Sequence, residues 1–302
     1  MPNSSDIHAI HDQPFADLVR TAAAEHRSRW DATRNRTGSA KRSSVETCAR
    51  VCDGCGLGMP ESSTASMPQD FAAGALSWAR AARDSGRKRL CLAASTPSTS
   101  EGEDFGSILK LVQQIRLLGL EVCADPVITG PAEARMLKEA GCAVLSHHLR
   151  IARKAIGEAT GPCLSQRNMQ GLRAAAEVGL QVCFNCTLGQ GETSEDRLCF
   201  LQSLASSEVR PNVLHLRLSS SRPGEAEPIQ PSEVIRFIAT ARILLPGCKL
   251  QLVVERTRLD YRSLMMAHLC GVNTMGFIPH WRPSGGLGSF ADQTYLPTTR
   301  EP

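Results

Sequence analysis

The sequence predicts an α/β fold in which eight parallel strands, each followed by a helix, close into a TIM-type (β/α)8 barrel. Two observations carry that expectation. From residue 69 to residue 278, short apolar runs of strand length alternate with amphipathic helical runs, the pattern of repeated βα units over a parallel sheet. The chain also has 302 residues, 42% of them hydrophobic, enough for one large barrel or two modest domains, and no second domain is apparent along it. An open doubly wound sheet is the alternative reading of the same rhythm.

Residues 1–40 read as a helical and polar lead-in, residues 41–282 as the barrel and residues 283–302 as a tail. A weakly marked first strand falls around RSSVET, just before Cys48. The helix QDFAAGALSWARAARDSG then ends at Gly86, a residue suited to a helix C-terminus. Strand KRLCLAAS and helix DFGSILKLVQQIRLLG follow, the latter closing at Gly119. Strand LEVCAD leads to helix PAEARMLKEAG, which places Pro131 in its first turn. Strand CAVLSHH is separated by an irregular piece from helix SQRNMQGLRAAAEVG and strand LQVCFNCTLG. Helix SEDRLCFLQSLASS, strand NVLHLRL, helix PSEVIRFIATARILLP and strand KLQLVVE continue the alternation. Helix DYRSLMMAHLCG and strand VNTMGFI complete it.

The net charge of +4, from 34 basic and 30 acidic residues, gives no reason to expect a nucleic-acid partner. The first thirty residues contain no apolar signal-peptide region, and no run approaches the ~20 apolar residues of a membrane span. A soluble, cytoplasmic protein is expected, with no membrane partner. Twelve cysteines in a reducing compartment are better read as ligands or small core residues than as disulfides.

Side chains alternate between faces along a strand, so parity separates barrel interior from helix-facing wall. Leu90 and Leu92 oppose Arg89 and Cys91; Leu120, Val122 and Ala124 oppose Glu121, Cys123 and Asp125. Leu180, Val182, Phe184 and Leu188 oppose Gln181, Cys183, Asn185 and Thr187, and Leu250, Leu252 and Val254 oppose Lys249, Gln251 and Glu255. With the apolar sets under the helices, Cys91, Cys123, Cys183 and Gln251 share the interior. Three inward cysteines suggest a cluster site; three independent core residues are the alternative. Cys186 falls on the helix-facing side.

Cys142, Cys163, Cys186, Cys199, Cys248 and Cys270 share no derivable geometry, and core filling is expected of each. His147 and His148, being adjacent in a strand, point to opposite faces and cannot share one metal without distortion. The stretch GQGE, with Gly189, Gly191 and Glu192, joins a strand to a helix, so its amides could face a ligand.

CARVCDGCGLG places Cys48, Cys52 and Cys55 at spacings of four and three. Three thiolates leave one position of a metal site or cluster open. A structural zinc site needs a fourth Cys or His nearby, and none follows within the next thirty residues.

This CxxxCxxC motif resembles that of the radical S-adenosylmethionine (SAM) superfamily. The resemblance implies a [4Fe-4S] cluster on Cys48, Cys52 and Cys55, its open iron taken by the amino and carboxylate groups of S-adenosyl-L-methionine. Within the superfamily, RKRLCLAAS, LLGLEVCADPVIT, VGLQVCFNCTLGQGET, FIATARILLPGCKLQL and LCGVNTMGF are similar to the biotin synthase family, over about residues 45–280. That resemblance implies a second, [2Fe-2S] cluster on Cys91, Cys123 and Cys183, the three cysteines parity had grouped. It also implies a radical SAM sulfurtransferase that inserts sulfur into dethiobiotin, forming biotin through a 5′-deoxyadenosyl radical. Gly189, Gly191 and Glu192 match a segment lying against the adenosyl part of SAM. An electron donor such as flavodoxin and a homodimer are implied as well.

Several positions depart from the family. Its arginine ligand of the second cluster corresponds to Gln251, and an aromatic residue before the third motif cysteine to Gly54. Its Asn-His-Asn-Leu-Asp segment becomes Ser146, His147, His148, Leu149 and Arg150, and a sixth-strand asparagine is missing where Leu214, His215 and Arg217 stand. Arg150 cannot accept a hydrogen bond from a ribose hydroxyl. Three functions are therefore carried forward: biotin synthase activity, a related radical SAM enzyme with another substrate, and an iron–sulfur barrel that binds or regulates without turnover.

Overall fold

The structure is a computed structural model describing residues 4–30, 47–48, 69–84, 89–92, 103–126, 128–149, 151, 166–218, 228–255 and 259–278. Its strands are β1 (Thr47–Cys48), β2 (Arg89–Leu92), β3 (Glu121–Ala124), β4 (Cys142–Leu149), β5 (Gln181–Leu188), β6 (Val213–Leu218), β7 (Lys249–Glu255) and β8 (Thr274–Ile278). They form one parallel sheet in chain order, β1 to β8. A doubly wound sheet reverses its strand order part-way; this one does not, so that alternative is excluded. Among the described residues no pairing joins β8 to β1, and the sheet is the curled wall of the expected barrel.

The helices lie between the strands as expected: α3 (Gln69–Asp84), α4 (Glu103–Leu117), α5 (Pro131–Glu139), α6 (Gln166–Glu177), α7 (Ser194–Ser206), α8 (Pro231–Leu244) and α9 (Tyr261–Leu269). Their starts are encoded locally. Pro131 and Pro231 occupy first turns, where the missing N–H is not needed. Thr193 and Asp196 form a reciprocal capping box on α7, and Asp260 caps α9 through the Ser263 amide at 2.8 Å. Gly119 follows α4 with a positive φ, as expected of a helix terminator. Gly86 lies outside the described residues.

The main core forms between sheet and helices, and the parity reading holds there. Leu90, Leu92, Val122, Ala124, Val182, Phe184, Leu188, Leu214, Leu216, Leu250, Leu252 and Val254 all belong to it. The lead-in supplies two helices, α1 (Ser4–His11) and α2 (Phe15–Arg29), which pack on α7, α8 and α9. Arg236 of α8 donates to the carbonyls of His11 and Gln13, at 2.6 and 3.0 Å. His11 itself meets Thr240 and Ser194, each at 3.2 Å.

Arg242 of α8 is wholly buried under the barrel. Its guanidinium donates to the carbonyls of Pro246, Cys248 and Gly271 and to Asn273 Oδ1, at 2.6–3.0 Å, beneath the Trp30 ring. Burial lowers its pKa to about 10, so it stays charged near neutrality. A buried cation is costly unless its donors are used; here four carbonyl-type oxygens accept from Nη1 and Nη2, while Nε is buried without an acceptor.

Candidate functional site

The strands bring the predicted interior thiols together. Cys48, Cys91 and Cys123 are successive register partners across β1, β2 and β3. Cys123, Val144, Cys183 and Val213 form a buried cluster separate from the main core, with Cys91 and Ala143 packed against it. Cys52 and Cys55 lie outside the described residues. Among the described residues, no three His, Cys, Asp or Glu side chains converge closely enough to hold a single metal ion.

The other cysteines behave differently. Cys142, Cys186, Cys248 and Cys270 sit in the main core. Burial pushes the thiols of Cys142, Cys248 and Cys270 up to about 12, so they remain protonated and are poor ligands. Cys199 is half-buried on α7, 3.6 Å from Glu195. Cys163 lies outside the described residues.

On β4 the parity changes. Val122 pairs with Cys142 but Cys123 pairs with Val144, leaving Ala143 as an extra residue. This bulge turns Cys142 into the main core and Val144 into the thiol cluster. Beyond it, Ser146 accepts a hydrogen bond from Asn185 Nδ2 at 2.5 Å, and the Cys183 thiol lies 3.8 Å from Asn185 Oδ1. His148 Nε2 lies 3.3 Å from the buried Asp125 carboxylate. His147 is half-buried; burial lowers its pKa, the His148 charge adds to this, and Asp125 opposes it.

A polar row crosses the remaining strands. Asn185 pairs with His215, His215 with Gln251, and Gln251 with Thr274. Asn185, His215 and Gln251 are buried, and both His215 Nε2 and Thr274 Oγ1 are buried with no hydrogen-bond partner. The strand alternation held a signal for Asn185 and Gln251. The Asp125–His148 pair joins loop and strand ends, which no local pattern marks.

The GQGE turn differs from its expected form. Glu192 folds back so that its carboxylate accepts from the amides of Gly189 (2.6 Å) and Gln190 (2.7 Å). Arg197 Nη1 stands 3.6 Å from the same carboxylate. Those two amides are therefore engaged by Glu192 rather than offered to a ligand. Gly189 and Gly191 both have positive φ, +84° and +92°, which side-chain-bearing residues adopt with strain.

A sequence profile described as the radical SAM superfamily matches residues 43–204. The chain belongs to the radical SAM superfamily. Membership implies an enzyme, a [4Fe-4S] cluster and S-adenosyl-L-methionine. The radical SAM chain is 28% identical to the biotin synthase of Methylobacterium sp. (strain 4-46), over 90% of this chain and 83% of that protein. It is also 28% identical to the biotin synthase of Synechococcus sp. (strain RCC307), over 97% and 92%. Its fold superposes on HydG, a maturase of the [FeFe]-hydrogenase, with a TM-score of 0.63 at 12% identity, over 90% of this chain and 64% of that one. This radical SAM protein is biotin synthase-like. No helix among the described residues is long and apolar enough to cross a membrane.

Proposed function

We propose that the protein is a biotin synthase-like radical SAM sulfurtransferase that inserts sulfur into dethiobiotin to form biotin. The observation that carries this reading is the grouping of Cys91, Cys123 and Cys183 in one interior cluster, beside the strand that carries Cys48. Cys48, Cys52 and Cys55 would hold the [4Fe-4S] cluster, and Cys91, Cys123 and Cys183 the auxiliary [2Fe-2S] cluster. The donor chemistry fits the latter: three thiols from three strands share a buried chamber. A two-iron cluster is held at two metal atoms, so its ligands need not converge on one point. When bound, the first cluster supplies the electron that cleaves SAM, and the second supplies the sulfur.

The protein's own residues bind, orient and exclude water. Val144 and Val213 pack the thiol chamber with apolar surface, limiting water at a reactive centre. Glu192 fixes the turn of Gly189 and Gly191, the segment assigned to the adenosyl side of SAM. Ser146, Asn185 and the Asp125–His148 pair line the substrate side with hydrogen-bonding groups. A flavodoxin-type donor and a homodimer belong to this proposal.

A second reading, a radical SAM enzyme for another substrate, is favoured by one observation. Where the resemblance expects amide and acidic groups, the chamber presents Ser146, His148 paired with Asp125, and His215. Growth on dethiobiotin of a bacterial strain lacking its own biotin synthase separates the two. Rescue supports the first reading. Failure to rescue by a protein that still cleaves SAM supports the second, and absence of 5′-deoxyadenosine with any substrate leaves the non-catalytic barrel.

A further inference from the structure

We infer that His215, rather than the residue at position 251, is the fourth protein ligand of the auxiliary cluster. The inference rests on the auxiliary-cluster reading above.

Three features of the chamber point to this imidazole. The first is placement. His215 is the register partner of Gln251 and stands two residues beyond Val213, which packs with Cys123 and Cys183. Residues two apart on a strand share a face, so His215 belongs to the same wall as the thiols.

The second is an unmet need. His215 is 6% exposed, and its Nε2 is buried with no hydrogen-bond partner. Leaving such a group unsatisfied is unfavourable, and an orphan of this kind calls for an unseen partner.

The third is chemistry. A neutral imidazole nitrogen is an established iron ligand, and histidine replaces cysteine on one iron of some two-iron clusters, raising the potential. The amide of Gln251 offers only a carbonyl oxygen, a donor better matched to hard cations. Thr274 Oγ1 on the far side of Gln251 is also buried without a partner, but a neutral hydroxyl is a weak ligand for iron. The donors stand on four strands, β2, β3, β5 and β6, and no three converge on a single ion among the described residues. That spread suits a group with two metal atoms better than zinc.

The test uses full-length protein carrying Cys48→Ala, which removes the four-iron signal, reconstituted anaerobically and reduced. Iron and sulfide analysis first establishes whether an auxiliary cluster forms. If none forms, the cluster reading itself falls, and this inference with it. If one forms, pulsed electron paramagnetic resonance on protein grown with ¹⁵N-histidine should show a histidine nitrogen coupled to the cluster. The coupling should persist in Gln251→Ala and vanish in His215→Cys, which keeps a ligating atom and lowers the reduction potential. An intact cluster without histidine coupling, or coupling that survives in His215→Cys, overturns the inference while leaving the auxiliary cluster standing.

Discussion

Cys48 on β1 and Cys91 on β2 are direct register partners in the parallel sheet. Adjacent strands run about 4.8 Å apart, so the first cysteine of the CxxxCxxC motif and the first interior thiol stand side by side. Under the proposed function, two clusters are anchored on neighbouring strands yet use separate ligands. Cys48→Ala should lose the larger share of the iron and keep the rest, whereas Cys123→Ala should lose the smaller share. Iron and sulfide analysis after anaerobic reconstitution, with Mössbauer spectra of each variant, checks the division. Equal losses in both would count against two independent clusters.

Glu192 holds its turn through two amides and the Arg197 guanidinium. Glu192→Gln replaces one carboxylate oxygen with a donor facing an N–H group, and loses the charge. SAM binding should weaken roughly tenfold, the equivalent of about 1.4 kcal/mol, and the fold should lose about 1–3 kcal/mol of stability through the buried amide left unpaired. Equilibrium dialysis with labelled SAM measures the first, and urea denaturation the second.

Arg242 and Gly271 are coupled at the base of the barrel. A Cβ at position 271 would come within 2.7–2.9 Å of the Arg242 side chain, at a φ of +135°. Gly271→Ala should therefore destabilise the fold by about 2 kcal/mol or more. Arg242→Met leaves the carbonyls of Pro246, Cys248 and Gly271 without this donor and should cost about 3 kcal/mol, at ~1–3 kcal/mol for each buried polar group left unsatisfied. The urea midpoint of each variant at neutral pH gives the comparison.

His26 sets a pH dependence. Burial, then the Arg242, His268 and Arg27 charges, lower its pKa from 6.5 to about 4. Between those values the unfolded chain takes up a proton that the folded chain does not. Stability is thus fully present above pH 6.5 and declines as pH falls toward 4. His11 and His147, both lowered chiefly by burial, act in the same direction. His26→Gln should flatten this slope by about 1–2 kcal/mol, allowing for its partial exposure. Chemical denaturation at a series of pH values between 4 and 7 checks it.

Strand parity made much of this architecture legible, because β2, β3 and β5 alternate between the two faces without interruption, and β7 does so apart from Val253. Cys91, Cys123 and Cys183 could be grouped for that reason alone. The β4 strand was not readable in the same way. Its extra residue, Ala143, arises from pairing with β3, a long-range relation that leaves no mark in CAVLSHH. The Glu192 fold-back was hidden too, since a carboxylate three residues along can face outward or cap its own turn. Arg242 stands between the apolar Ala241 and Ile243 of α8, but its acceptors come from two later loops.

The anchoring of the first two helices has a practical corollary. Arg236 grips the backbone at His11 and Gln13, while the Trp30 indole donates to the Pro246 carbonyl at 3.1 Å and covers Arg242. These attachments are spread over the length of the segment and none is covalent. A polypeptide nicked between Trp30 and Thr47 should consequently persist as a two-piece complex, its short fragment released only by denaturant.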